Sequence, residues 1–491
     1  MAQLLFALVI LTSFVATILA HGNNNNTLAC VEWCTENFLF SSIPCIALAA
    51  TRKGPCYTCG PLKTSASERL CSGTCKETNT DSSNCGRCGT VCPIGSTCSS
   101  GACICTNSGL SPCNGSCPAL NSDSNNCGRC GNVCPAGSTC SSGACVPCSQ
   151  APTTFAVGSG PFSVAVGDFN GDGYLDIVNT DFHDNTVSVV LGNGDGSFQA
   201  QTAFAVGSGP YGVAVGDFDR DGHLDIVATS YASNTVRVLL GNGDGSFQAQ
   251  TTFAVGSGPY LVAVGDFNGD GHLDIVATSY ASNTVSVVLG NGDGSFQAQT
   301  AFAVGSGPVG IAVGDFNGDG HLDIVTGNQS GNTVSVLLGN GDGSFQTQVT
   351  FAVGSSPFTV AVGDFNGDGH LDIVAGNQSG NTVSVLLGNG DGSFQAQTTF
   401  AVGSGPVGIA VGDLNGDGHL DIVAANHVSN TVSVLLGNGD GSFQAQTTFA
   451  VGSGPDGVAV GNFNGDGVLD IVAANELGNT VSVLLSQHCN A

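Results

Sequence analysis

The string GDFNGDGYLDIV at residues 167–178 returns six more times, with small changes, at a constant step of 49 residues. The copies begin at Gly167, Gly216, Gly265, Gly314, Gly363, Gly412 and Gly461. A fixed period of this length marks a repeat array, in which each supersecondary unit buries its apolar faces only against its neighbours. The seven copies therefore form one domain, and the period overrides chain length as a guide to domain number. Each unit reads as four short strands: VAVGDF, LDIV, TVSVVLG and a segment such as FQAQTTFAVG, with apolar residues alternating and Gly-rich strings between. Four-stranded units repeated radially make a propeller.

The ends of the array predict how the ring closes. It opens at Pro152 with TTFAVGSGP, a fourth strand alone, and stops after TVSVLLS near Ser486, a third strand. The N-terminal segment is expected to complete the last blade, giving an all-β, seven-bladed β-propeller over residues 149–491. Aligning the two ends places Cys148 and Cys489 two positions apart in the missing hairpin. Such neighbours can meet the Cα separation of a disulfide, about 4.4 to 6.8 Å, so a Cys148–Cys489 staple is expected.

Within the first copy, oxygen donors alternate: the side chains of Asp168, Asn170 and Asp172, the backbone carbonyl of Tyr174, and the side chain of Asp176. A tight loop of this kind wraps calcium, a hard cation that takes six to eight oxygens. Carboxylates packed this closely repel one another unless a cation lies between them. Asp, Asn and Gly also favour ordinary turns, but turns alone do not require Asp at the first, fifth and ninth positions in copy after copy.

The loop and its flanking strands resemble the FG-GAP (VCBS-type) repeats of integrin alpha-subunit propellers and of calcium-bearing propeller lectins, over residues 151–486. The resemblance implies calcium bound through loop positions one, three, five, seven and nine, up to seven ions in all. Carried over, the other ligand sets are Asp217, Asp219, Asp221, His223 and Asp225; Asp266, Asn268, Asp270, His272 and Asp274; and Asp315, Asn317, Asp319, His321 and Asp323. They continue with Asp364, Asn366, Asp368, His370 and Asp372, and with Asp413, Asn415, Asp417, His419 and Asp421. The seventh set departs, with Asn462 in first place before Asn464, Asp466, Val468 and Asp470. Each seventh-position residue offers its carbonyl, and the histidine side chains are expected to face solvent. Because affinity follows ligand charge, the second site is expected to be tightest and the last weakest.

Only 9% of residues are charged, yet the formal net charge is −28. The proposed loops hold 21 of the 37 acidic residues. The acidity is thus mostly a property of the metal loops, and it argues against nucleic acid or an anionic membrane as partner.

Residues 3–20 form an apolar run before the polar His21, Gly22 and Asn23, and read as a cleaved secretory signal (residues 1–20), with an uncleaved anchor as the alternative. Sequons stand at Asn25, Asn114, Asn328 and Asn377. Twenty-one of the 22 cysteines lie between Cys30 and Cys148. Those of residues 21–70 match no pattern. Those of 71–148 form a duplication: Cys71, Cys75, Cys85, Cys88, Cys92, Cys98 and Cys103 recur 42 residues later. The Cys-x2-Cys pairs suit zinc, but behind a secretory signal a disulfide framework is favoured, with its connectivity left open. The strings NCGRCGTVCPIGSTCSSGAC and NCGRCGNVCPAGSTCSSGAC resemble the Stig1-type repeat of plant secreted proteins, which implies an extracellular or cell-wall setting.

Opposite the calcium loops, the units differ. Phe162, Tyr211, Tyr260, Val309, Phe358, Val407 and Asp456 follow the Gly-Ser-Gly-Pro or Gly-Ser-Ser-Pro turns, and the second-to-third loops carry His183, Tyr231, Tyr280, His427 and Glu476. Phe162, Tyr211, Tyr260, Phe358, Tyr231 and Tyr280, read as exposed aromatics, are the candidate ligand-binding residues. Asp456, Glu476, Asp181, His183 and Asp184 are a candidate acidic patch between the last and first blades. The expected protein is a monomeric, non-enzymatic, secreted binding or adhesion module for an extracellular protein or glycan, with a calcium-dependent lectin as the alternative. A polysaccharide-active enzyme is the third reading.

Overall fold

The structure is a computed structural model that describes residues 152–486 without a break and, ahead of them, residues 32–34 and 36 with parts of 68–147. By contacts the chain divides into two compact units, one N-terminal and one of Val146–Ala491 with Pro135–Ser138. Among the described residues no helix is long and apolar enough to cross a membrane. The apolar run at 3–20, Cys148, Cys489, Asn25 and Asn114 lie outside the described residues, and so do the signal, staple and two sequons placed on them.

N-terminal to the array stand three two-stranded hairpins: Glu68–Cys71 with Thr74–Glu77, Ser96–Ser99 with Ala102–Cys105, and Ser138–Ser141 with Ala144–Pro147. The second and third are the 42-residue duplication in structural form. Disulfides join Cys71 to Cys88, Cys85 to Cys98 and Cys92 to Cys103, and Cys127 to Cys140 repeats the Cys85 bond in the second copy. Cys85 and Cys88, one of the Cys-x2-Cys pairs, thus go to different partners. So little apolar surface lies in these short hairpins that the crosslinks supply the constraint a core would otherwise give.

The array folds into seven four-stranded antiparallel sheets. In the first blade the order from inner to outer is Pro161–Gly167, Asp176–Asp181, Thr186–Val190 and Thr202–Ala205. The seventh blade takes its outer strand from the start of the array: Thr153–Ala156 pairs with Thr480–Leu484, from Thr480 opposite Ala156 to Val483 opposite Thr153. The ring closes as the end sequences predict.

Apolar clusters sit between blades rather than within them. Phe169, Val178, Val187 and Val189 of the first blade meet Val213, Ile226, Ala228 and Leu239 of the second. Val157, Ile177 and Val190 meet Phe463, Val472, Val481 and Val483 where the seventh blade meets the first. Every second strand is consequently buried along its whole length, as in Asp176–Asp181, because neighbours cover both of its faces. One-sided alternation would have left half of that strand wet.

Two polar devices repeat between blades. The asparagine that ends each second-to-third hairpin, from Asn185 (φ 61°) to Asn479 (φ 52°), adopts the left-handed conformation that Asn tolerates better than most residues. Its Oδ1 accepts an amide of the next blade, Gly209 N for Asn185 and Gly258 N for Asn234, both at 2.9 Å. The third-to-fourth hairpin of each of the first six blades also reaches back to the preceding Asp-rich loop, as where Gly245 N donates to Phe169 O at 3.0 Å. Near the axis small residues let inner strands approach: a Cβ on Gly408 would lie 2.2 Å from the Asp456 carbonyl oxygen.

Candidate calcium loops and an axial mouth

The Asp-rich loops are built around backbone amides. Asp168 Oδ1 accepts Gly171 N at 2.7 Å and its Oδ2 accepts Gly173 N at 2.8 Å, while Asp172 Oδ1 accepts Tyr174 N at 2.9 Å. Gly173, at φ 84°, gives the turn that lets these amides converge. Asp176 is fully buried; its Oδ2 accepts Phe169 N at 2.8 Å and its Oδ1 accepts Gly192 N at 2.7 Å, tying the loop to its own blade's outer hairpin. Five further loops give their ninth-position aspartate the same two amide bonds, and in the seventh blade Ser486 N replaces the hairpin glycine, 2.8 Å from Asp470 Oδ1.

Burial, with the loop's other carboxylates adding to it, pushes the ninth-position carboxyls up: Asp176 to about 6 and Asp421 to about 7. The loops therefore hold more negative charge than their surroundings favour. The donor set fits a hard cation on two observations. In the second loop, Asp217, Asp219 and Asp225 offer carboxylate oxygens all within 4.8 Å of one another. In the seventh, Asn462 Oδ1 is buried with no hydrogen-bond partner, because Asn462 makes none of the amide contacts that Asp168 makes. Arg220 of the second loop stands at φ 63° where the other loops have glycine, as at Gly171.

Tyr174, His223, His321, His370 and His419 are exposed, as expected of carbonyl-donating positions, but their rings lie over the blade's own outer hairpin. A Cβ on Gly243 would lie 2.3 Å from His223 Cε1, and one on Gly194 the same distance from Tyr174 Cε1. His272 is half-buried with its Nδ1 unpartnered, and Val468 is buried at the same position in the last loop.

On the opposite face the differing residues converge on the axis. In six of the seven blades the inner strand slips register just after its first residue, as between Pro161 and Val164. Such a bulge re-aims side chains out of the ladder, and the position after each proline points to the centre. Tyr211 stacks on Tyr260 with centroids 4.0 Å apart; Phe162 lies 4.8 Å from Tyr211, and Tyr260 lies 5.7 Å from Phe358. Val309, Phe358 and Val407 complete an apolar cluster.

Here the expectation of exposed aromatics is corrected. Phe358 is buried, Phe162, Tyr211, Tyr260 and Tyr280 are partly buried, and Tyr231 alone of the six is exposed. Side chains that point to a common axis cover one another.

A second ring comes from the second-to-third hairpins. Phe182, Tyr231, Tyr280, Gln329, Gln378, His427 and Glu476 stand at the same step of 49 residues. Phe182, Gln329 and Gln378 were not among the candidates, although alignment with Tyr231 and Tyr280 marks them. Together the two rings enclose a cavity of about 260 Å3, lined by Phe162, Phe182, Tyr211, Tyr260, Phe358, Gln378, Val407, His427, Asp456 and Glu476. Its aromatic rings come from the first three blades and from Phe358 of the fifth, and its charged groups and Gln378 from the last three.

His427 Nδ1 lies 2.7 Å from Asp456 Oδ1 and 3.9 Å from Glu476 Oε2. Burial raises the Asp456 carboxyl, and its hydrogen bond raises His427, so the pair retains a proton readily.

The acidic patch expected between the last and first blades does not form. Asp456 and Glu476 gather on His427 instead, while Asp181 is fully buried and accepts Asn179 Nδ2, Thr186 Oγ1 and Ser188 Oγ. Asp184 Oδ2 accepts Ser159 N at 2.7 Å, and the His183 ring covers Gly160. The sequons at Asn328 and Asn377 are also corrected: both side chains are fully buried and donate to Thr333 and Ser335, or to Thr382 and Ser384. A glycosylated asparagine needs the surface.

The FG-GAP-like repeat family matches six overlapping stretches, residues 168–228, 221–277, 266–326, 315–375, 364–424 and 413–473. No curated protein matches the chain. Among solved structures it is similar to BBS1N in complex with ARL6DN, with a TM-score of 0.52 and 10% identity over 70% of this chain and 98% of that one. A lectin from Agrocybe aegerita that recognises non-reducing terminal N-acetylglucosamine gives a TM-score of 0.44 at 23% identity over 64% and 86% of the two chains. A streptogramin B lyase gives 0.48 at 16% identity over 68% and 97%. These likenesses are of fold alone.

Proposed function

The chain belongs to the FG-GAP-like repeat family, and from that premise we propose that it is an extracellular binding module: a rigid ring, held by calcium in its Asp-rich loops, that takes a protein or glycan ligand at its axial mouth. The observation that carries the reading is the lining of the 260 Å3 cavity, where aromatic rings and the polar side chains of His427, Asp456, Glu476 and Gln378 converge on one opening. Binding sites combine apolar walls with a few placed polar groups in this way. The uniform blades supply stiffness, and the positions at which they differ converge on one opening.

Calcium is proposed for structure rather than for ligand contact, because the loops and the mouth lie on opposite faces of the ring. The apolar run at residues 3–20 and the disulfides of the N-terminal region support an extracellular setting. The Stig1-like strings favour a cell-wall location.

Probing a glycan array and a panel of extracellular proteins in millimolar calcium, with native protein and with Tyr211→Ala, tests the reading. The expected result is a captured ligand whose signal falls with Tyr211→Ala while the thermal midpoint shows the variant folded. Capture that Tyr211→Ala leaves unchanged would move the site away from the mouth.

A further inference from the structure

We propose that the ligand group seated in the axial mouth is an alkylammonium ion, of the kind that ends a lysine side chain, held by Asp456 and Glu476 with its methylene stem along the rings of Phe162 and Tyr211. The inference rests on the binding-module reading and names the chemistry of that site.

Charge is the first argument. Asp456 is only 5% exposed, yet it lines the cavity. One of its oxygens bonds to His427, and among the described residues the other accepts no hydrogen bond. Glu476 reaches the same histidine at 3.9 Å. Two carboxylates thus share one imidazole, which carries at most a single positive charge.

No second cation of the ring can compensate. Between residues 149 and 491 the sequence has only two basic side chains besides histidine, Arg220 and Arg237. Arg220 is in the calcium-type loop of the opposite face, and Arg237 lies on the third strand of the second blade, where it bonds to Thr252. The mouth therefore keeps unmatched negative charge.

Surroundings decide what kind of cation fits. Beside the acids the cavity wall is aromatic, with Phe162, Tyr211 and Tyr260 mutually packed. A hydrated metal ion gains nothing from such a wall. An ammonium group gains from ring quadrupoles as well as from carboxylates, and its methylenes are removed from water. The 260 Å3 cavity admits one such side chain. Comparison between blades localises the acid to a single point: the position of Asp456 holds Val309 and Val407 in two other blades and an aromatic residue in the remaining four.

Saturation-transfer NMR and calorimetry on the full, calcium-loaded chain test the proposal, with Nα-acetyl-lysine methylamide as probe. Its neutral counterpart is Nα-acetyl-norleucine methylamide, 1,5-diaminopentane serves as free amine, and zinc and manganese ions serve as metal probes. The lysine probe should bind with transfer from aromatic protons, and the norleucine probe about tenfold or more weaker, as expected when a charge-assisted contact is lost. Asp456→Asn should weaken the lysine probe by about tenfold and Glu476→Gln by less.

Asp456→Val, which copies two other blades, guards against misfolding and should bind the amine as weakly as Asp456→Asn. Diamine binding equal to that of the lysine probe would assign the site to free amines, and tighter lysine binding would assign it to a protein chain; either supports the ammonium. Equal binding of the norleucine probe, retained amine binding in Asp456→Asn, or displacement of the amine by zinc or manganese would overturn it. If no amine binds while Tyr211→Ala still abolishes capture of an array ligand, the mouth remains the site and only the ammonium assignment falls.

Discussion

Asn479 Oδ1 accepts the Gly160 amide at 3.0 Å, joining residues 319 positions apart in sequence across the junction where the array's end meets its beginning. The same bond recurs between neighbours elsewhere in the ring, so closure uses a contact already built into the repeat.

Asn479→Ala should therefore destabilise the ring by about 2 kcal/mol, from a lost hydrogen bond of about 1 kcal/mol and left-handed strain of similar size. Asn479→Gly should cost less, because glycine accepts the φ of 52°. Chemical denaturation of both variants beside Asn283→Ala checks this. A cost at position 479 well above that at 283 would mark the junction as the ring's weak seam.

Asp181 supplies a pH prediction independent of metal. The equivalent residue is serine in two blades and asparagine in four, and Asn328 makes the same Thr and Ser contacts. Burial raises Asp181 from 3.8 to about 6 in the folded protein. A carboxyl raised on folding binds its proton more tightly in the native state, so its cost is absent below about 4 and grows as pH rises toward 6. It reaches about 3 kcal/mol above that. Asp181→Asn should thus stabilise the protein at pH 8 and change it little at pH 4, measured by denaturation in saturating calcium. An equal effect at both pH values would refute the assignment.

Removing calcium should lower the thermal midpoint, since an ion that binds only the folded loops stabilises them. Metal analysis after dialysis should give six or seven calcium ions per chain, following the seven loops. The loop of Asn462, which has a neutral residue in first place, should empty first on titration with a chelator. The absence of both bound metal and a shift in midpoint would leave the loops as Asx turns.

Arg220→Gly should stabilise the second blade. Arg220 holds φ 63° where glycine serves the other loops, and relieving that conformation is worth about 1 kcal/mol. The change also removes a positive charge beside Asp217, Asp219 and Asp225, so calcium affinity at that loop should rise. Calorimetry of calcium binding with thermal unfolding reads both effects, and a drop in stability would show that the arginine makes contacts that outweigh its strain.

What the sequence determined by itself was whatever recurs every 49 residues. Period, strand pattern and the offset ends specified seven four-stranded blades closed by Thr153–Ala156, because a repeat that buries its faces only on copies of itself has one regular assembly. The oxygen donors of the loops were legible for the same reason, being local in sequence. Tertiary structure decided the rest. Tyr260, Asp456 and His427 meet because bulged inner strands and neighbouring hairpins share an axis that no single repeat contains. Asn328 and Asp181 are buried because adjacent blades cover a strand on both faces. Position along the chain records neither the axis nor the second face; only closure of the ring creates them.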